Sequence, residues 1–392
     1  SSGDSNLLLT GRKAWDIIWC MREQAINYTT PRLDPSKPGR LLAINFGGIG
    51  DEILFFPTLD MIRKTLPGWH ISLLLEPRSK SAKELTESVD DILLFDIKKR
   101  PLLISDLLDL LFLIKKGRFD AVVSSGGSPM VSALLFLSGI EHRVGYDSNM
   151  AARLLLSEPV LLDRNAYAAR MYQELAFGLE RLTSKPSKSS TDIGSSNGTS
   201  TLPLVKVSSQ AETRMNDLME SLSIPDGATK IMIHPGTSRL ATQKGILKSW
   251  AVDSWLQLIE RLGKSTNSYI VLAGGPDDQE VINELQSKLK SPHVVSTFGR
   301  TKNLSDLAAL MDLCDLICCV DSAPMHVAVG LNRPLVALFG PTDPAKLLPD
   351  KPHFKAIWDK QDGNRSMFDR KGVDIKVDTV YDAIAEQLKH LK

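Results

Sequence analysis

One pattern constrains this chain more than any other: an alternation of strand-like and helix-like segments that runs twice. It begins with the apolar strand "LLAINF" at 41–46. A helix over 51–66, the strand "HISLLLE", the helix "KSAKELTES", the strand "DILLFD", a helix over 102–116 and the strand "DAVVSS" follow. After a break, the pattern resumes with "KIMIHPG", a helix over 250–262, "YIVLAGG", a helix over 279–289 and "HVVSTFG". "LSDLAALMDLC", "DLICCV", a helix over 325–330 and "PLVALFG" continue it, and the amphipathic helix "DTVYDAIAEQLKHLK" ends it. Strands alternating with helices imply parallel β-α-β units with right-handed crossovers.

The break is "TSKPSKSSTDIGSSNGTSTLP", poor in apolar residues and rich in Ser, Gly and Thr, the composition of a flexible linker. A chain of 392 residues is also too long for one ordinary core. The expected organisation is a first domain over 41–182, a linker over 183–203 and a second domain over 204–376, with a terminal helix over 377–392. The fold class is α/β: two doubly wound, Rossmann-like domains facing a central cleft. The first forty residues read as an extension in which Trp15, Ile18, Trp19 and Ile26 recur at helical spacing. That helix either packs on the domain or lies as an amphipathic foot on a membrane surface.

Forty-seven Lys and Arg against 46 Asp and Glu leave a net charge of +1, so no global field points to nucleic acid. Three of the four cysteines fall in "DLCDLICCV", an apolar run without the pairing a zinc site needs, and read as buried reduced thiols of a cytosolic protein. The longest apolar run, "PLLISDLLDLLFLIKK", is interrupted by Asp106 and Asp109 and is too short to span a bilayer. No metal and no cofactor is expected.

In open α/β sheets, ligands gather at the carboxyl ends of strands. Four such ends carry chemistry. In "NFGGIGDEI", Gly47, Gly48 and Gly50 allow a tight turn and a close ligand, and Asp51 falls at a helix start, where it serves either as a cap or as a base. With Gly48 and Gly50 as the first two glycines of the dinucleotide fingerprint, the third position falls on Ile53, which disfavours a nicotinamide dehydrogenase. In "HPGTSR", the backbone at Gly236 and the hydroxyls of Thr237 and Ser238 offer a phosphate cradle or an ordinary polar turn, with Lys244 and Lys248 in loop reach. In "AGGPDDQE", Asp277 or Asp278 caps a helix or accepts from ribose hydroxyls. In "VDSAPMH", Asp321 and Ser322 end a strand and open a helix whose free N–H groups attract an anion, Pro324 fits the first turn, and His326 can add a donor.

These segments, in this order, resemble glycosyltransferase family 9, the ADP-heptose:lipopolysaccharide heptosyltransferases and their relatives. The resemblance runs over most of Leu41 to Pro344 and is strongest from "NLSDLAALMDLCDLICCV" through "DSAPMHVAVGLNRPLVALFGPTDP". It implies a GT-B architecture with the nucleotide-sugar donor on the second domain. The reaction it implies is metal-independent and inverting, moving heptose from ADP-heptose to a hydroxyl of a lipopolysaccharide-core or related glycan. The implied setting is cytoplasmic, with peripheral contact at the inner membrane left open. Asp51 corresponds to the general base. Thr237, Ser238 and Lys248 correspond to the donor-diphosphate contacts, Asp278 to the acid near the ribose, and Asp321, Ser322, Ala323 and His326 to the donor-binding turn. The family usually has glycine where this chain has Ala323, and many relatives carry Arg or Lys where it has Asn45. Another nucleotide sugar, a protein acceptor, or a catalytically silent nucleotide-sugar-binding module are the alternatives.

Overall fold

The computed structural model describes residues 32–99, 101–183, 201–265, 268–360 and 372–390. The helix expected in the first forty residues and most of the expected linker lie outside the described residues. In the first half, β1 (Arg40–Ile44), β2 (His70–Leu75), β3 (Asp91–Leu94), β4 (Ala121–Ser124), β5 (His142–Tyr146) and β6 (Glu158–Val160) form a 6-stranded sheet in the order β3-β2-β1-β4-β5-β6. In the second half, β7 (Thr229–His234), β8 (Ser268–Leu272), β9 (Val294–Ser296), β10 (Leu316–Val320), β11 (Leu335–Phe339) and β12 (Phe354–Trp358) form another in the order β12-β11-β10-β7-β8-β9. Every pairing is parallel. The two halves therefore share one topology, and each reverses its winding beside its first strand, at β1/β4 and at β7/β10. That reversal opens a crevice at the carboxyl ends of those strands.

The central strands are apolar because helices cover both faces; "LICCV" and "LVALF" are buried at every position. Cys318 and Cys319 lie within β10 and Cys314 just before it, all free and buried, and burial pushes the Cys314 thiol up to about 12. The edge strands read differently. β6 contains Pro159 and β12 is half exposed, as edges tolerate, so neither gives an alternating or apolar signature. "KSAKELTES" forms part of a 3₁₀ segment, Pro77–Leu85, rather than an α-helix; it is wedged between the helix Ile49–Thr65 and the second domain's helix Leu304–Asp312.

The two domains meet along an apolar seam. Ile53 and Phe56 of the first and Met325 and Val329 of the second belong to one apolar cluster, and the helices Ile49–Thr65 and Ala323–Gly330 pack directly. The chain re-entering the second domain runs along this joint: Val205 N–H donates to Gly330 O at 3.0 Å and Lys206 N–H to Leu85 O at 2.9 Å. On the far side of the second sheet, the terminal helix Val377–Lys389 packs on the helix Val252–Ser265, and Trp250 meets Trp255 edge-to-face at 4.8 Å. The seam leaves both sets of strand ends facing one opening.

Candidate active site

β1 hands over to the helix Ile49–Thr65 through Asn45–Gly48, with Gly48 at the N-cap. Asp51 occupies the third helical position, and its Oδ2 accepts the Gly48 N–H at 2.7 Å, a capping contact that complements the helix's positive end. The capping reading of Asp51 is thus satisfied with one oxygen, and the side chain still lines the opening. The glycines make room. A Cβ on Gly47 would lie 2.3 Å from Cβ of Asp51, and one on Gly50 would lie 2.6 Å from Cδ2 of His326 across the seam. Gly47 itself lies behind the turn, where its carbonyl accepts from Ser79 Oγ at 2.7 Å.

Beneath this turn lie two more charged residues: Glu52, whose part sequence reasoning missed, and Arg78, which it read only as one of several loop cations that either face an anionic acceptor or stay solvated. Glu52 is fully buried; its Oε1 accepts the Gly47 N–H at 3.3 Å, its Oε2 has no hydrogen-bond partner, and burial pushes its carboxyl up to about 8. The only signal available was the acid pair "DE" in the first turn of a helix whose neighbours are all apolar. Arg78 is the other. From the 3₁₀ segment its Nε donates to the buried Glu76 at 2.6 Å, and its guanidinium reaches over Gly48 into the opening. Asn45 supplies no charge here; it accepts from Ser125 Oγ at 2.5 Å and so ties the ends of β1 and β4, while Arg78 provides a cation from the adjacent crossover.

Across the opening, β10 ends in Asp321, 2% exposed, whose Oδ2 meets Lys248 Nζ at 2.7 Å and also accepts from the Thr342 hydroxyl. A buried carboxylate at an anion-attracting helix start is thereby neutralised, and the ammonium is fixed in the mouth of the turn. Ser322 is the N-cap of the helix Ala323–Gly330, with Pro324 in its first turn. His326 follows, buried, with Nδ1 lacking a hydrogen-bond partner; burial holds the imidazole below its usual range, against the upward pull of Asp321 and Asp51, so the ring is neutral at pH 7. After β7, Thr237 and Ser238 form a polar turn into the short helix Arg239–Gln243.

Asp278 is tucked inward. Its Oδ2 accepts the Gly275 N–H at 2.7 Å and stands 3.6 Å from His234 Nε2, and it fills the space a side chain on Gly236 would need. Burial raises the Asp278 carboxyl and lowers the His234 imidazole. Asp277, beside it, is exposed and accepts the Arg239 N–H at 3.3 Å.

Gly48, Gly50, Asp51, Thr237, Ser238, Lys248, Asp278, Asp321, Ser322, Ala323 and His326 all line one cavity of about 550 Å³ between the domains; Gly47 and Lys244 do not. Leu240, Leu304, Leu307 and Leu347 make part of its wall apolar. Such a cavity can hold a ligand with an apolar or aromatic portion and an anionic portion, the latter against Lys248 and the helix start. Among the described residues, no three His, Cys, Asp or Glu side chains gather to hold a metal ion, and no helix is long and apolar enough to cross a membrane.

The sequence profile described as glycosyltransferase family 9 (heptosyltransferase) matches residues 110–373, more than half of the chain. A lipopolysaccharide heptosyltransferase 3 of Escherichia coli is 24% identical over 309 residues, covering 75% of this chain and 81% of that one. A solved structure of the glycosyl transferase family 9 from Veillonella parvula overlays with a TM-score of 0.69 at 22% identity, over 92% of this chain and 99% of that one. The structure of Escherichia coli ADP-heptose lps heptosyltransferase II overlays with a TM-score of 0.65 at 21% identity, over 90% and 99% of the respective chains. At such identities the overlays speak for the fold, which is GT-B.

Proposed function

Because this chain belongs to glycosyltransferase family 9 and is a glycosyltransferase, we propose that its interdomain cavity binds ADP-heptose and transfers the heptose, with inversion, to a hydroxyl of a lipopolysaccharide-core or related glycan. The observation that carries this reading is the arrangement of one cavity-facing carboxylate, Asp51, on the first domain and an anchored cation, Lys248, on the second, around the same space.

In this mechanism Asp51 takes the proton of the acceptor hydroxyl as the oxygen forms its bond to the anomeric carbon. The bond from that carbon to the diphosphate breaks on the opposite face, and the ADP leaves with the electron pair. Charge growing on the diphosphate is met by Lys248, by the hydroxyls of Thr237 and Ser238, and by the first-turn N–H groups after Ser322, each such donor worth about 2–4 kcal/mol in the transition state. A neutral His326 donates from one ring nitrogen. These groups take the place a divalent metal holds in other transferases, so the reaction runs without one. The leucine wall receives the adenine, and Asp278, or Asp277 beside it, accepts from the ribose. Arg78 faces the acceptor side. Three buried free thiols suit a reducing, cytoplasmic setting.

The test is mass spectrometry of products when the purified chain is offered ADP-heptose with truncated lipopolysaccharide acceptors. Appearance of a heptosylated glycan supports the proposal. Turnover with a different nucleotide sugar, or labelling of a protein acceptor, replaces the donor or acceptor named here. Donor binding without turnover on any acceptor makes the chain a silent binding module.

A further inference from the structure

The helices on the outer face of the first domain leave an apolar surface with no protein to cover it. In Ile104–Lys116, the residues Ile104, Leu108 and Phe112 form one stripe and are 78%, 60% and 69% exposed. The next crossover helix, Pro129–Leu137, contains no charged residue and exposes Met130, Phe136 and Leu137. The third, Met150–Leu155, packs against it and exposes Met150 and Leu154. All three bury their inner sides in a single cluster under the first sheet, through Leu110, Leu135 and Ala152, so their outer sides form one surface opposite the seam. Among the described residues, Leu204 and Trp358 are the large exposed apolar side chains outside the first domain. An exposed patch of this kind marks an interaction site.

Charge selects the occupant. Residues 98–118 carry six basic and two acidic side chains. Lys98 and Lys99 lead into the striped helix, paired with Glu76 at 2.9 Å and Asp106 at 3.0 Å, and Lys115 and Lys116 end it. Apolar side chains flanked at both ends by long cationic ones match the layering of an anionic bilayer, with hydrocarbon below and phosphates above. Between the first two helices, Phe46, Ile97, Leu107, Met130 and Leu134 line a small apolar recess.

We propose that this three-helix face docks the enzyme on an anionic lipid surface. The inference goes beyond the reaction proposed above and does not rest on it, because partition is read without donor or acceptor.

The experiment is co-sedimentation of the full chain with vesicles of equimolar phosphatidylglycerol and phosphatidylethanolamine, set against pure phosphatidylcholine. Binding to the anionic vesicles and little to the neutral ones is expected. Leu108→Asn with Phe112→Ser, and separately Lys115→Glu with Lys116→Glu, should each lower the anionic partition by about tenfold or more. The lysine pair decides the matter if circular dichroism shows that the apolar pair fails to fold. Equal binding to both vesicles, or parental partition in both variants, overturns the proposal. So does loss of partition only on Trp15→Ser with Trp19→Ser, which assigns membrane contact to the N-terminal segment. Conversion of a dimer to a monomer by the apolar pair, with partition unchanged, assigns the face to a second copy of the chain.

Discussion

Lys248 and Asp321 are joined at 2.7 Å, so the acid that follows β10 holds a cation in place in the mouth of the cavity instead of standing bare there. Lys248→Ala does two things: it removes the positive charge and leaves Asp321, 2% exposed, without an ion-pair partner at the proposed diphosphate site. Calorimetry should show ADP affinity falling by about 100-fold or more in Lys248→Ala. Adding Asp321→Asn to it should restore part of that loss, because the repulsive charge goes while the contact to Thr342 can persist. Equal losses in the single and double variants would mean that the pair is not coupled to the donor.

The observed cap made by Asp51 and its proposed part as a base can be separated by one substitution. Asn keeps an oxygen able to accept the Gly48 N–H, whereas Ala gives up that cap at a cost of about 1 kcal/mol. Asp51→Asn should therefore melt at the parental temperature and bind ADP normally. Its kcat should fall by about 10²–10⁴-fold, the usual contribution of a general base. Parental turnover in Asp51→Asn would leave the residue as a cap alone.

How much of this was readable in advance depended on where a residue's partners lie. β10 and β11, apolar throughout, could be read directly because both faces of a central parallel strand are buried. β6 with Pro159 and the half-exposed β12 could not, since neither is an apolar run, whereas the edge strands β3 and β9 were read from "DILLFD" and "HVVSTFG". The turns that line the cavity were visible as Gly, Asp and Ser at strand ends. The role of Asp321 was not, because its partners Lys248 and Thr342 come from other loops and only the folded sheet brings them together. Glu52 was hidden because burial leaves no local trace in the sequence; Arg78 was visible as a loop cation, but its place over Gly48 was not.

Gly50 faces His326 across the domain seam with no room for a methyl group; the nearest ring carbon would stand 2.6 Å from an added Cβ. His326 is buried and cannot swing aside without disturbing the helix Ala323–Gly330. Gly50→Ala should therefore push the domains apart at the cavity, costing about 1–3 kcal/mol of stability and lowering kcat/KM more than it lowers ADP affinity, since the proposed nucleotide contacts belong to one domain. Thermal melts and initial rates check this. An unchanged melt with an unchanged rate would show that the seam yields freely.

Glu52 should make stability fall as the solution becomes more alkaline. Burial lifts its carboxyl from 4.5 to about 8, so between those values the folded chain keeps a proton that the unfolded chain has lost. Fewer protons bound in the unfolded state means that stability declines with rising pH through that window and levels off above it. Glu52→Gln keeps the shape and the acceptor for Gly47 but has no proton to lose. It should match the parent near about pH 5 and exceed it near about pH 9 by on the order of 2–3 kcal/mol. The buried His326, His234 and His142, all held below 6.5, destabilise in the opposite direction, as pH falls below that value. Both proteins carry these histidines, so their effect cancels and the difference between about pH 5 and 9 isolates Glu52. Denaturant titrations of both proteins across that range give the measurement, and parallel pH profiles would remove Glu52 as the cause.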